Sequence, residues 1–247
     1  MEKIYVKPFL QQYRDADHEG KIGMRAVVHY FELCASEFMY RNQKGQDTLP
    51  EKFGLAWMYT KYKIHLNKKF GFDTPVELIT WVERIDRVRL YEGYEVVKDG
   101  ETLVNGRLES CIFNPETKQL KGLKDVEIDQ DFVLGKEVPL DRFKRTNGQV
   151  PDAEYVYTHK VRYSDIDSNH HMFNLRYLDL IDNAFTLDFY DEYFMSDLEL
   201  HFISQAHYGD ELDVFKKDNG DGHYEISIRQ KDGTTVIYAD TVMSRKE

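Results

Sequence analysis

The chain has 247 residues, 41% hydrophobic and 14% aromatic, with 33 Lys and Arg against 44 Asp and Glu for a formal charge of −11. That composition is globular, and the length suits one large domain or two of roughly 100–150 residues. A net negative chain without a basic tail excludes a nucleic-acid binder, which needs clustered Lys and Arg against phosphates.

No apolar run reaches the roughly 18–20 residues of a membrane span. Glu2, Lys3 and Lys7 interrupt the apolar stretch that a signal sequence would need, so the expected location is the cytoplasm. Cys34 and Cys111 are too few for a disulfide scaffold or a metal cluster, and reduced thiols with no bound metal are expected.

In chain order, Asp15-Ala16-Asp17 precedes an apolar stripe, Val27, Phe31, Cys34 and Phe38, whose spacing predicts a helix. Alternating and β-branched sequence then predicts strands over 76–85, 89–98 and 102–113, with Lys98-Asp99-Gly100 as a hairpin turn. Residues 125–154 hold Gly135, Pro139, Gly148 and Pro151 and read as a linker with one short helix over 140–145. Asp165-Ile166-Asp167 opens the second half. There Leu175, Leu178, Ile181, Phe185 and Phe189 predict one continuous helix, followed by strands over 198–203, 211–216, 224–230 and 234–242.

The two halves are built on one plan. YEGYEVVKDG at 91–100 is matched by YEISIRQKDG at 224–233, and HYFELCASEF at 29–38 by RYLDLIDNAF at 176–185. The distance from Asp-x-Asp to the helix letters differs by three residues, which a loop is expected to absorb. Each half reads as a strand, a long helix and several antiparallel strands. A helix of roughly 16 residues, about 24 Å long, can lie across such a sheet. The expected fold is therefore α+β, with domains over 1–124 and 155–247 joined by 125–154.

The densest polar constellation is SDIDSNHHMFNLRY, residues 164–177, just ahead of the second helix. Asp167, Asn169 and His171 gathered at a helix start could activate water against an electrophilic carbonyl, with N–H groups over 169–173 polarising it. The same residue types could equally cap the helix and sit in solvent. The first half has Asp17, Glu19 and Lys21 at the matching positions. Caps are needed in both halves, so the difference favours a single site in a duplicated chain.

Asp167-x-Asn169-x-His171, continued by Asn174 and Tyr177, together with the duplication and the length, resembles the acyl-acyl carrier protein (acyl-ACP) thioesterases of the bacterial branch related to the plant fatty acyl thioesterases. The resemblance covers essentially the whole chain. It implies two tandem hot-dog domains, each an antiparallel sheet wrapped around a long helix. It also implies hydrolysis of fatty acyl-ACP thioesters to free fatty acid and carrier thiol in fatty acid biosynthesis, without a cofactor. Asp167, Asn169 and His171 are then the catalytic residues, with the choice between Asp167 and His171 as base left open, as is attack by Asp167 itself.

The family often places Glu, or a neighbouring Cys, on the strand after the second helix. Here 200–212 offers Gln205, which can orient water but not deprotonate it, and Ala206. The first half, lacking the triplet, is expected to hold the acyl chain along Val27, Phe31, Cys34 and Phe38. Acyl carrier protein is the expected partner, docking through Arg142, Lys144 and Arg145 or through Arg14, Lys21 and Arg25; a homodimer is left open. The competing readings are an acyl-CoA thioesterase and a non-catalytic acyl-thioester-binding protein.

Overall fold

The stripe of Val27, Phe31, Cys34 and Phe38 is completely buried in the computed structural model, which describes residues 1–67 and 69–246. The chain divides into two units, Met1–Asp141 and Arg142–Glu247.

The first unit contains β1 (Ile4–Phe9), β2 (Lys21–Ile22), α1 (Met24–Arg41), α2 (Thr48–Phe53), β3 (Ala56–Leu66) and β4 (Phe70–Gly71). They are followed by β5 (Val76–Ile85), β6 (Arg89–Lys98), β7 (Glu101–Phe113) and β8 (Leu120–Lys121). The sheet order is β1-β5-β6-β7-β3, all antiparallel, with β8 beside β7; β2 and β4 form a separate pair. Asp99 and Gly100 both take positive φ between β6 and β7, which the tight hairpin requires. The sequence reading passed over β3, although buried Tyr62, Ile64 and Leu66 alternate there with Lys61, Lys63 and His65.

Helix α1, about 27 Å long, lies on this sheet. Phe31 stacks on Tyr94 of β6 with ring centroids 4.5 Å apart. A Cβ on Gly106 of β7 would sit 2.1 Å from Phe31, so glycine is what lets the helix approach. From β3, the Tyr62 hydroxyl donates to Glu32 at 2.8 Å.

The helix expected over 140–145 is absent. Arg107 on β7 pairs with Glu83 through Nε at 2.6 Å, and its other nitrogens donate to the carbonyls of Val138, Leu140 and Asp141. Carbonyls held by a buried guanidinium cannot close helical turns. Residues 123–132 instead make two 3₁₀ turns, and Phe132 stacks on Phe38 at 5.3 Å.

The second unit contains β9 (Glu154–Lys160), α3 (Asn174–Asp182), α4 (Leu187–Glu192), β10 (Tyr193–Phe202), β11 (Glu211–Asp218), β12 (His223–Gln230) and β13 (Thr235–Arg245). Its antiparallel order is β10-β13-β12-β11-β9. The single helix expected here is broken at 183–186. Lys216 Nζ donates to the Ala184 carbonyl at 2.6 Å, taking the acceptor that a continuing helix would use for residue 188. Thr186 Oγ1 accepts the Phe189 N–H and starts α4. Phe185 and Phe189 still stack on each other, so the apolar stripe survives the break that it conceals in the sequence.

Tyr157 of β9, Tyr224 of β12 and Phe202 of β10 all reach the α3 region. An antiparallel sheet packed on a central helix thus occurs in both units, the hot-dog arrangement.

Candidate active site

The Asp-x-Asp segments fold into the same turn in both units. In the second, Asp167 N donates to the His171 carbonyl at 2.9 Å and His170 N to the Asp167 carbonyl at 3.1 Å. Asp167 Oδ1 accepts from Asn169 N at 2.8 Å and His171 N at 3.3 Å. In the first, Asp17 N donates to the Lys21 carbonyl at 2.8 Å and Gly20 N to the Asp17 carbonyl at 3.0 Å. Asp17 Oδ1 accepts from Glu19 N and Lys21 N, both at 3.0 Å. A bridge closes each turn, Ala16 to Ile22 and Ile166 to Met172. Asp17 and Asp167 therefore share a structural duty, closing this turn, and neither caps its helix as the residue types also allowed: the N-caps are Gly23 and Phe173.

The duplicated turns also correct the expected loop difference. Met24 follows Asp17 and Asn174 follows Asp167 by the same seven residues. The three-residue offset lies inside the helices, close to one turn of 3.6 residues, so similar letters still face the sheet.

The remaining carboxylate oxygens differ. Asp17 Oδ2 is ion-paired to Lys69, which also reaches Glu19 at 3.4 Å. Burial would raise the Asp17 carboxyl, but Lys69 and the turn N–H groups hold it below the usual range. Asp167 Oδ2 meets only Asn169 Nδ2, at 3.4 Å, among the described residues. One copy of the turn neutralises its carboxylate with a lysine; the other presents it, half-buried, beside an amide.

The oxyanion role expected of the N–H groups over 169–173 does not fit this geometry. The helix begins at Asn174. Every one of those five N–H groups is spent: Asn169 and His171 on Asp167 Oδ1, His170 on the Asp167 carbonyl, Met172 on the Ala206 carbonyl and Phe173 on the Asp165 carbonyl. Donors for a developing oxyanion must then come from side chains, and among the predicted residues Asn169 Nδ2 and the His171 ring are of the type that can donate.

Gln205 lies in the loop after β10 rather than on a strand, is exposed, and offers its backbone carbonyl to Gln230. Its neighbours do more. Ala206 N donates to the buried Tyr177 hydroxyl at 3.3 Å, tying this loop to α3. The His207 ring meets His171 edge-on at 5.0 Å and stands 3.9 Å from Asp210. The sequence reading missed His207 and Asp210, two residues and five residues beyond Gln205 in the segment it had already marked. Asp165, also passed over as a support, is buried and accepts from Arg162 N at 2.8 Å, with His159 Nε2 2.9 Å away. Burial would raise its carboxyl, but these contacts and Arg176 hold it below the usual range.

In the first unit Val27, Phe31, Cys34 and Phe38 are packed in the core. Burial pushes the Cys34 thiol up to about 12, which leaves no thiolate at neutral pH.

Residues 2–130 match the acyl-ACP thioesterase N-terminal domain family and residues 149–243 the acyl-ACP thioesterase C-terminal domain family. No curated protein matches the sequence significantly. Among solved structures, an acyl-ACP thioesterase from Bacteroides thetaiotaomicron is similar over 98% of both chains, at 22% identity and a TM-score of 0.86. The 12:0-ACP thioesterase from Umbellularia californica is similar over 98% of both chains, at 14% identity and 0.79. The turn that presents Asp167, the duplicated sheet-and-helix plan and the match across both halves give one conclusion: this chain belongs to the acyl-ACP thioesterase family and hydrolyses fatty acyl-ACP thioesters.

Proposed function

We propose that Asp167 Oδ2 takes the proton of the attacking water while Asn169 Nδ2 and the His171 ring donate to the developing oxyanion. The water oxygen bonds to the thioester carbonyl carbon, the tetrahedral intermediate collapses, and the carbon–sulfur bond breaks. The proton held by Asp167 ends on the carrier thiol, and water's other proton, left on the fatty acid, passes to solvent as the acid ionises to its carboxylate. A thiol's ordinary pKa of about 8.5 makes the leaving group undemanding, so making the nucleophile and stabilising the oxyanion matter most. His207, against His171 and near Asp210, is the positioning residue that fixes the imidazole.

The observation that carries this assignment is the unequal pairing of two equivalent oxygens: Lys69 occupies Asp17 Oδ2, and no cation meets Asp167 Oδ2 among the described residues. The first unit, whose carboxylate is neutralised, is left the task of holding the acyl chain against α1. The carrier is acyl carrier protein, and the reaction belongs to the cytoplasm.

The test is Asp167→Asn, which keeps an oxygen to accept the turn's N–H groups while removing the base. We expect kcat on acyl-ACP to fall by at least about 10²-fold with the melting temperature nearly unchanged. A variant retaining near-native kcat would transfer the role of base to His171. Running acyl-CoA of the same chain beside acyl-ACP tests the carrier, and equal rates on both would remove the carrier protein from the recognition.

A further inference from the structure

The helix-facing side of the first unit's sheet carries a polar group that hydrolysis does not use. Thr80 of β5, Glu92 and Tyr94 of β6 and Ser110 of β7 are all buried. The Tyr94 hydroxyl interacts with Thr80 and with the Glu92 carboxyl, whereas Glu92 Oε1 and Ser110 Oγ have no hydrogen-bond partner among the described residues. Strand register gathers them: Thr80 lies opposite Tyr94, and Ser110 opposite Leu90, two residues from Glu92 on the same face. The stacking of Tyr94 on Phe31 shows that this face looks at α1.

Two orphaned polar atoms on one buried face, Glu92 Oε1 and Ser110 Oγ, depart from the native norm, in which buried polar groups find partners. A fold that needed only an oily slot would have apolar residues here. Burial pushes the Glu92 carboxyl up to about 8, against the opposing pull of the Tyr94 hydroxyl, so at neutral pH it is protonated and offers both a donor and an acceptor.

Glu92 and Ser110 also line a cavity of about 10 Å³, the room of roughly one water, closed by Met39 of α1 and Trp57 of β3. Ser36 and Gln46, which also line it, are exposed residues. Met39, unbranched and adaptable, is the side chain able to swing aside for a larger guest.

We propose that the first unit selects acyl chains bearing a hydroxyl group, which Glu92 and Ser110 receive inside this cavity. A hydroxyl donates and accepts, matching a protonated carboxyl and a serine; a keto oxygen only accepts, and a plain methylene leaves both residues orphaned. Discrimination of this kind is steep, because a site built to hydrogen-bond a substrate group penalises the analogue that lacks it. The inference rests on the reading that the first unit holds the acyl chain.

Binding separates it from catalysis. Trp57, one of two tryptophans, lines the cavity and reports occupancy by fluorescence. Free fatty acids of one chain length, either plain or carrying the hydroxyl near the carboxyl, in mid-chain or at the terminal carbon, are titrated into the full chain, with Trp57→Phe identifying the reporting residue. We expect one hydroxylated isomer to bind at least about tenfold tighter than the plain acid, and the same isomer to lead in kcat/KM as its acyl-ACP. In Ser110→Ala and in Glu92→Leu that ratio should fall toward one, with melting curves showing the variants folded. A keto analogue matching the hydroxyl, or a plain acid binding as tightly as every isomer, overturns the proposal and assigns the cavity to water. Loss of hydrolysis with the binding preference intact counts against the thioesterase mechanism alone.

Discussion

Gly20 and His170 occupy one position in two copies of the same turn, and both hold a left-handed backbone, φ +72° and +63°. Glycine reaches that region at no steric cost, whereas an L side chain is strained there by about 1–2 kcal/mol.

His170→Gly should therefore raise the stability of the second unit, by up to about 1 kcal/mol, because the strain relieved is partly offset by the greater freedom of glycine in the unfolded chain. His170→Val should lower it by more than that, since a β-branched residue is a steric outlier at positive φ. Thermal unfolding of the three proteins checks the order. Equal melting temperatures for the glycine and valine variants would mean that the turn does not impose this backbone.

The shared turn also makes Asp167→Ala a double injury. It removes the carboxylate that serves the reaction and the oxygen that accepts two turn N–H groups, so a loss of about 1–3 kcal/mol should accompany the loss of turnover. Asp17→Ala should lower stability by removing the oxygen that accepts two turn N–H groups and one of the two carboxylates that pair with Lys69, while kcat on acyl-ACP changes far less than in Asp167→Asn. Parallel melting and steady-state measurements separate the two. A loss of kcat in Asp17→Ala comparable to that of Asp167→Asn would end the division of labour between the halves.

Glu92 gives stability a pH dependence. Its folded value, raised by burial to about 8, lies above the ordinary carboxyl value of 4.5, so the folded form binds the proton more tightly than the unfolded chain does. Its relative contribution is full below about pH 4.5 and is lost as pH rises toward 8. Glu92→Gln removes that slope. The variant should gain on the wild type steadily between pH 5 and pH 8, by a few kcal/mol at most, as read from melting temperatures across the range. A difference independent of pH would mean that Glu92 is ionised within the fold.

Carrier docking should depend on salt. Acyl carrier proteins are acidic, as the family resemblance implies, and this chain carries −11, so productive approach needs a local positive face. Lys144 is already committed, its Nζ to Asp240 and its N–H to Glu199 at 2.6 Å, whereas Arg145 and Arg14 are exposed. Reversing Arg145 or Arg14 to Glu should lower kcat/KM for acyl-ACP severalfold and leave acyl-CoA nearly unaffected, and raising ionic strength should reproduce the difference. Indifference of acyl-ACP hydrolysis to salt and to both reversals would rule out these arginines as the docking face.

The strands over 76–85 and 89–98 were legible residue for residue, because alternating and β-branched sequence leaves little freedom, and an Asp-Gly turn fixes the end of the second. The duplication was legible too, since two copies of one fold keep the same hydrophobic period. The second helix was not: Phe185 and Phe189 continue the stripe of α3, and only Lys216, arriving from a distant strand, takes the Ala184 carbonyl and breaks it. Nor was the fate of 138–141, where Arg107 captures three carbonyls. Asp167, Asn169 and His171 could be singled out by type, and Asn169 and His171 also by the Glu19 and Lys21 that replace them in the first half. What the sequence could not supply was Lys69, 52 residues beyond Asp17, as that aspartate's counterion, or His207 against His171. Local period and turn chemistry are written in neighbouring residues; charge pairing and the capture of a carbonyl join residues far apart in the chain, and only the packed sheets bring them within reach.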